Sequence, residues 1–175
     1  MPPLSLGPAI ARARQLCGNA EVWAILRFDQ DNDRMEVYWS ERTVAGAQTP
    51  DGAGGFRHYG THAESVMIHG FAQALADHGA PRVAEIFLSR SPCSTSPLIT
   101  VGGVQYPEGC ASKLILLANQ NPGIQFNVFY RNLYAGNPAN PDPALRARSS
   151  AAVMMMNSCP NLEAGPLEDG LLVNP

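Results

Sequence analysis

The chain has 175 residues, 45% apolar and 15% charged, enough for one domain with its own core and too few for two of ordinary size. Its formal charge of −3 argues against the broad basic field of a duplex-binding protein, although a local basic patch is compatible with it. No apolar run approaches the roughly 18 residues of a membrane span. Met1-Pro2-Pro3-Leu4 lacks the basic and apolar regions of a secretory signal, so no membrane partner is expected, though the sequence could be cut from a longer chain.

In chain order, Pro8 to Cys17 reads as a short helix stopped by Gly18. Glu21–Phe28 and Arg34–Ser40 are rich in β-branched and aromatic residues, and the polar run Asp29–Asp33 between them predicts an antiparallel hairpin. Thr43 to Gly60, rich in Gly and Ala, reads as loop. From His62 to His78, apolar residues at three- and four-residue steps predict a helix, ended by Gly79. Val83–Leu88 is a strand that enters Ser89-Arg90-Ser91-Pro92-Cys93, and a polar, glycine-containing insert fills 94–109.

A helix over Cys110 to about Asn119 follows, then a strand over Ile124–Tyr130 and a proline-rich loop over 137–143. A last helix covers Ala144 to about Asn157. The tail from Pro160 is weakly patterned, and its Leu171-Leu172-Val173 is either an edge strand or simple packing. The expected architecture is α/β: three layers around a mixed five-stranded sheet, with helices on both faces. All 175 residues form a single domain, with its core over about 21–157.

Four widely spaced cysteines, at 17, 93, 110 and 159, do not read as a disulfide framework in a domain that can build its own core, and metal binding by some of them is the expectation. Cys93 follows a strand and Cys110 opens a helix, where unsatisfied N–H groups favour a thiolate. With His62 at another helix start they make a donor set suited to Zn²⁺, with the fourth tetrahedral position open to water. Glu64 lies two residues after His62, so on a regular helix the two side chains would diverge. They share a site only if the pair straddles the helix start. Glu64 would then be unligated, taking a proton from water and passing it to a leaving amine. The competing reading of Thr61-His62-Ala63-Glu64 is a capping box with Thr61 as N-cap. Buried structural thiols are the alternative for the cysteines, and the expected role of Cys17 and Cys159.

These residues resemble the cytidine deaminase superfamily, whose pattern is His-x-Glu followed by Pro-Cys-x-x-Cys, the Glu outside the metal shell. His62, Glu64 and Pro92-Cys93 match as they stand. Sixteen residues separate Cys93 from Cys110 where the family has two, a loop whose closure costs only logarithmically more. Ser91-Pro92-Cys93 and the stretch Phe129–Tyr134 look most like the AID/APOBEC branch, and size and composition resemble deaminase domains of bacterial polymorphic toxins. The resemblance implies hydrolytic deamination of cytosine to uracil in single-stranded DNA or RNA, DNA favoured.

It also suggests substrate contacts from Ser91, Tyr130 and Arg131, and position adds Trp39, at the end of a strand expected to run toward the site, and His58, just before the His-x-Glu pair. Three of them have an ordinary structural alternative: core packing for Tyr130 and Trp39, a surface ion pair for Arg131. If the chain is a toxin domain, an immunity protein is an expected partner, with secretion as part of a larger protein and action in the cytoplasm. Deamination of free nucleosides or nucleotides, and a non-catalytic zinc-stapled binding domain, are the rival functions.

Overall fold

The computed structural model describes residues 22–39, 48–50, 56–58, 62–92, 99–101, 104–106, 109–135 and 139–167. The helix expected over 8–17 and the segment Leu171–Val173 lie outside them. Strands β1 (Trp23–Phe28) and β2 (Asp31–Trp39) form the expected hairpin. Its turn is tighter than the run 29–33 suggested. Asp29 and Gln30, at φ 51° and 60°, are the two left-handed residues that a two-residue turn matched to strand twist requires. The Asp29 carboxylate secures the turn, Oδ1 accepting from the backbone N–H groups of Arg82 and Val83 at 2.9 Å each. Its Oδ2 meets Arg34 at 2.8 Å.

The stretch expected as loop over 43–60 contains a small hairpin, β3 (Gln48–Pro50) with β4 (Phe56–His58). Three residues per strand are too few for alternation to show in the sequence. Helix α1 (Ala63–His78) ends as expected at Gly79, φ 78°, whose N–H donates to the Leu75 carbonyl. It crosses β2 closely: a Cβ at Gly70 would lie 2.7 Å from the Tyr38 ring. Strand β5 (Val83–Arg90) is buried over its six inner residues, as a strand paired on both sides should be.

The insert after β5 carries a second small hairpin, β6 (Ile99–Val101) with β7 (Val104–Tyr106). The Gly102-Gly103 pair between them is a hairpin signal that a reading of the stretch as polar insert passes over. Helix α2 (Cys110–Gln120), strand β8 (Gln125–Asn132) and helix α3 (Pro143–Met156) follow. Asp142 caps α3 by accepting from the Ala144 N–H, with Pro143 in the first turn.

The main sheet has five strands in the order β2-β1-β5-β8-β9, where β9 is Leu162–Pro166. Pairing is antiparallel from β2 to β5 and parallel from β5 to β9. The edge strand therefore lies in the weakly patterned tail, at Leu162–Pro166. Its sequence Leu-Glu-Ala-Gly-Pro has little strand propensity, and its place comes from pairing with β8 in the register Phe126↔Leu162.

All three described helices pack on one face, where Leu26, Met67, Phe71, Ile86, Leu114, Phe126, Val128 and Met156 form the main core. Phe71 sits at its centre, edge-on to Phe28 at 6.0 Å and 5.7 Å from Phe126. The other face carries a smaller cluster of Trp23, Ile25, Phe87 and Leu167 and the buried ion pair Arg27–Glu85 at 2.8 Å.

Candidate metal centre

Connectivity brings two helix starts to one edge of the sheet. Helix α1 runs back to feed β5, and α2 begins where the chain returns after β5, so both open at the carboxyl ends of the parallel strands. That edge is where ligands bind in open α/β sheets. It is closed below by hydrogen bonds between the ends of β5 and β8: the Ser91 N–H donates to the Asn132 carbonyl, and the Tyr134 N–H to Ser91 Oγ, each at 2.8 Å.

His62 is the N-cap of α1, with extended backbone (φ −102°, ψ 136°) and no side-chain cap bond. Its carbonyl accepts from the N–H groups of Ser65 and Val66, which starts the helix. The helix thus begins one residue later than a Thr61 cap would have it, and Thr61 lies outside the described residues. This shift removes the capping-box geometry, because Glu64 becomes the second helical residue instead of the third. It also lets the half-buried imidazole escape the divergence of a helical i, i+2 pair.

His62 Nδ1 and Cys110 Sγ lie 3.2 Å apart, and the ligand atoms of His62, Glu64 and Cys110 all fall within 4.8 Å of one another. In a tetrahedral zinc site with Zn–S about 2.3 Å and Zn–N about 2.0 Å, the N···S edge is about 3.5 Å. The observed pair is therefore set close to chelating distance. Glu64 and Cys110 are buried. All three side chains are of the ligating kind: His62 and Cys110 offer the N and S donors that zinc accepts, and the Glu64 carboxylate lies beside them.

Cys93, the expected further ligand, lies outside the described residues; Pro92, next to it, is buried at this edge. His58 closes β4, but its side chain is also outside what is described. Cys159 plays a different part: its Sγ is 3.4 Å from Asn119 Oδ1 at the far end of α2. That is about 13 Å along the helix from Cys110.

Among the expected substrate contacts, Tyr130 is half-buried on the helix face, packed against the main core. Arg131 is exposed on the other face. Trp39 ends β2 at the same edge, yet it pairs with Trp23 and so shares the sheet face opposite the helices. Ser91 is buried, its hydroxyl accepting from Tyr134 as above.

Two cations at this edge stand out only in three dimensions. Arg90 ends β5 on the helix face, opposite Asn132. Lys113 is buried one turn into α2, and its Nζ donates to Ser65 Oγ at 3.0 Å. The chain holds a single lysine, and that rarity is the one signal that could have drawn attention to it.

The fold and these side chains define an α/β protein with a mixed five-stranded sheet and a cluster of His, Glu and Cys side chains of the metal-ligating kind at its carboxyl edge. No family model and no curated protein matches the sequence. Among solved structures, the dCMP deaminase of the cyanophage S-TIM5, determined with dCMP and dUMP, is similar at 16% identity and a TM-score of 0.49, over 91% of this chain and 92% of that one. The Rib2 deaminase of Aspergillus oryzae, in complex with DARIPP, is similar at 16% identity and a TM-score of 0.46, over 96% of this chain and 85% of that one. At such values the likeness carries no weight for function, which rests on the side chains.

Proposed function

We propose that the protein is a zinc-dependent hydrolytic deaminase that converts cytosine to uracil in single-stranded nucleic acid, DNA before RNA. The observation that carries this reading is the convergence of His62 Nδ1, Cys110 Sγ and the Glu64 carboxylate within 4.8 Å at two helix starts. His62 and Cys110 would hold the ion, joined by Cys93 three residues beyond the end of β5. Bound there, zinc lowers the pKa of water toward about 7. Glu64 takes a proton from the water that attacks C4 of the base and returns it to the departing amine nitrogen. The buried position of Glu64 keeps bulk solvent from competing for that proton. An unpaired base is required, because the ring atom to be attacked is out of reach in a duplex.

Arg90, at the end of β5 on the helix face where the two helices open, supports a phosphate-bearing substrate. A second reading, deamination of free cytidine nucleotides, is favoured by the formal charge of −3, which is not the balance of a protein built around a broad cationic groove for a nucleic-acid strand. Incubation with cytidine, dCMP and a cytosine-bearing oligonucleotide decides between them: turnover of the oligonucleotide is expected, and turnover of the monomers alone overturns the nucleic-acid reading. Glu64→Ala tests the chemistry. It is expected to retain zinc and lose at least about 10²–10⁴-fold in turnover; unchanged turnover removes the proposed proton carrier.

A further inference from the structure

The single lysine of the chain is spent in the interior. Lys113 is 6% exposed and its partner Ser65 1%, and the hydrogen bond from Nζ to Ser65 Oγ is 3.0 Å long. Burying an ammonium is costly unless it is held by hydrogen bonds and by compensating charge. Most lysines lie at the surface, where a flexible stem gives the charge to water. A chain that otherwise uses arginine for its cations thus places its one lysine where a compact point charge fits between two helices.

The position of the pair gives it a purpose. Lys113 lies three residues after Cys110, on the same face of α2. Ser65 lies three residues after His62 and directly after Glu64. The bond therefore ties the first turn of α1 to the first turn of α2, immediately behind the 3.2 Å approach of His62 and Cys110. Neither residue belongs to a deaminase motif.

We propose that Lys113 is a positioning residue of the metal centre: its bond to Ser65 clamps the two helix starts so that His62 and Cys110 are held at chelating distance, and its charge offsets the anionic thiolate and carboxylate beside them. The inference rests on the metal-centre reading above. Supports of this kind outside the ligand shell typically alter metal affinity by about 10–100-fold when removed.

The test uses the full chain, zinc titrated against a chromophoric chelator, and the visible bands of the cobalt-substituted protein as a report of donor geometry. Lys113→Met keeps the length and helix propensity of the side chain; it is expected to fold, as judged by near-UV circular dichroism, and to bind zinc about 10–100-fold more weakly with altered cobalt bands. Ser65→Ala removes the acceptor without touching the charge and is expected to weaken zinc binding in the same direction, by less. The double variant should be little worse than Lys113→Met alone, because the two residues act through one bond. Folded Lys113→Met or Ser65→Ala protein with wild-type zinc affinity and wild-type cobalt bands overturns the clamp and leaves the metal centre standing. Wild-type protein that takes up no zinc overturns both.

Discussion

At the scale of single residues, backbone conformation decides what the side chains can do. His62 lies outside the helix that Glu64 is in, and that one-residue difference lets a His-x-Glu pair face one point. A helical His62 would swing its ring away by roughly 200°, since successive residues turn by about 100°. Asp29 is a comparable case without chemistry. The backbone N–H of Val83 above all, and Arg34 and the N–H of Arg82 after it, hold its carboxyl below the ordinary value of 3.8, against the opposing effect of burial. A carboxyl lowered in the folded state contributes stability above its unfolded pKa and loses it as pH falls through the folded value. Asp29→Asn, which tolerates the left-handed backbone, should therefore be less stable than wild type at neutral pH. The gap should close as pH falls below about 4, as urea titrations at stepped pH will show; a constant gap would mean that the charge contributes nothing.

At the scale of elements, two contacts set how strands and helices lie. Gly70 admits the Tyr38 ring against α1, and Gly70→Ala would place a Cβ 2.7 Å from it. Overpacking of this kind costs about 1–3 kcal/mol, against about 1 kcal/mol gained from helix propensity. Net destabilisation of up to about 2 kcal/mol is expected from these terms in the urea midpoint, with the slope unchanged; a more stable variant would show that the ring shifts freely. On the opposite face, Arg27 is held between Glu85, Asn32 and the Phe87 ring. Arg27→Met strands a buried carboxylate and should cost about 3–5 kcal/mol. Adding Glu85→Leu should recover most of that loss, since a buried pair often gains little over a packed apolar one. A double variant as unstable as the single one would contradict this account.

At the scale of the whole molecule, the fold delivers two helix starts and two strand ends to one edge, and a metal ion there would cross-link them. Zinc that binds the folded chain and not the unfolded one stabilises it by mass action, by about 2.7 kcal/mol at free zinc one hundred times the Kd. For a chain of this size that corresponds to a rise in Tm of roughly 5–10 °C. Chelation should lower Tm by that amount and readdition of zinc should restore it. A Tm indifferent to chelator would mean that no ion ties these elements together.

The residues by themselves determined the long elements and their order, because α1, β5, α2, β8 and α3 each carry enough apolar periodicity or an end signal such as Gly79 or Pro143 to be legible locally. They also determined the chemical types in the candidate site, since His62, Glu64 and Cys110 stand at positions where helix starts were expected. The short hairpin β3–β4 and the edge strand Leu162–Pro166 were decided by pairing, their own sequences being too short or too poor in β-formers to specify a strand alone, whereas β6–β7 carries a local Gly-Gly signal in its sequence. Only the packed molecule could set Trp39 on the face away from the helices, Tyr130 on the face toward them, and Lys113 against Ser65. Which side chains meet across a sheet or between two helices depends on register and crossover, and neither is written in any local run of residues.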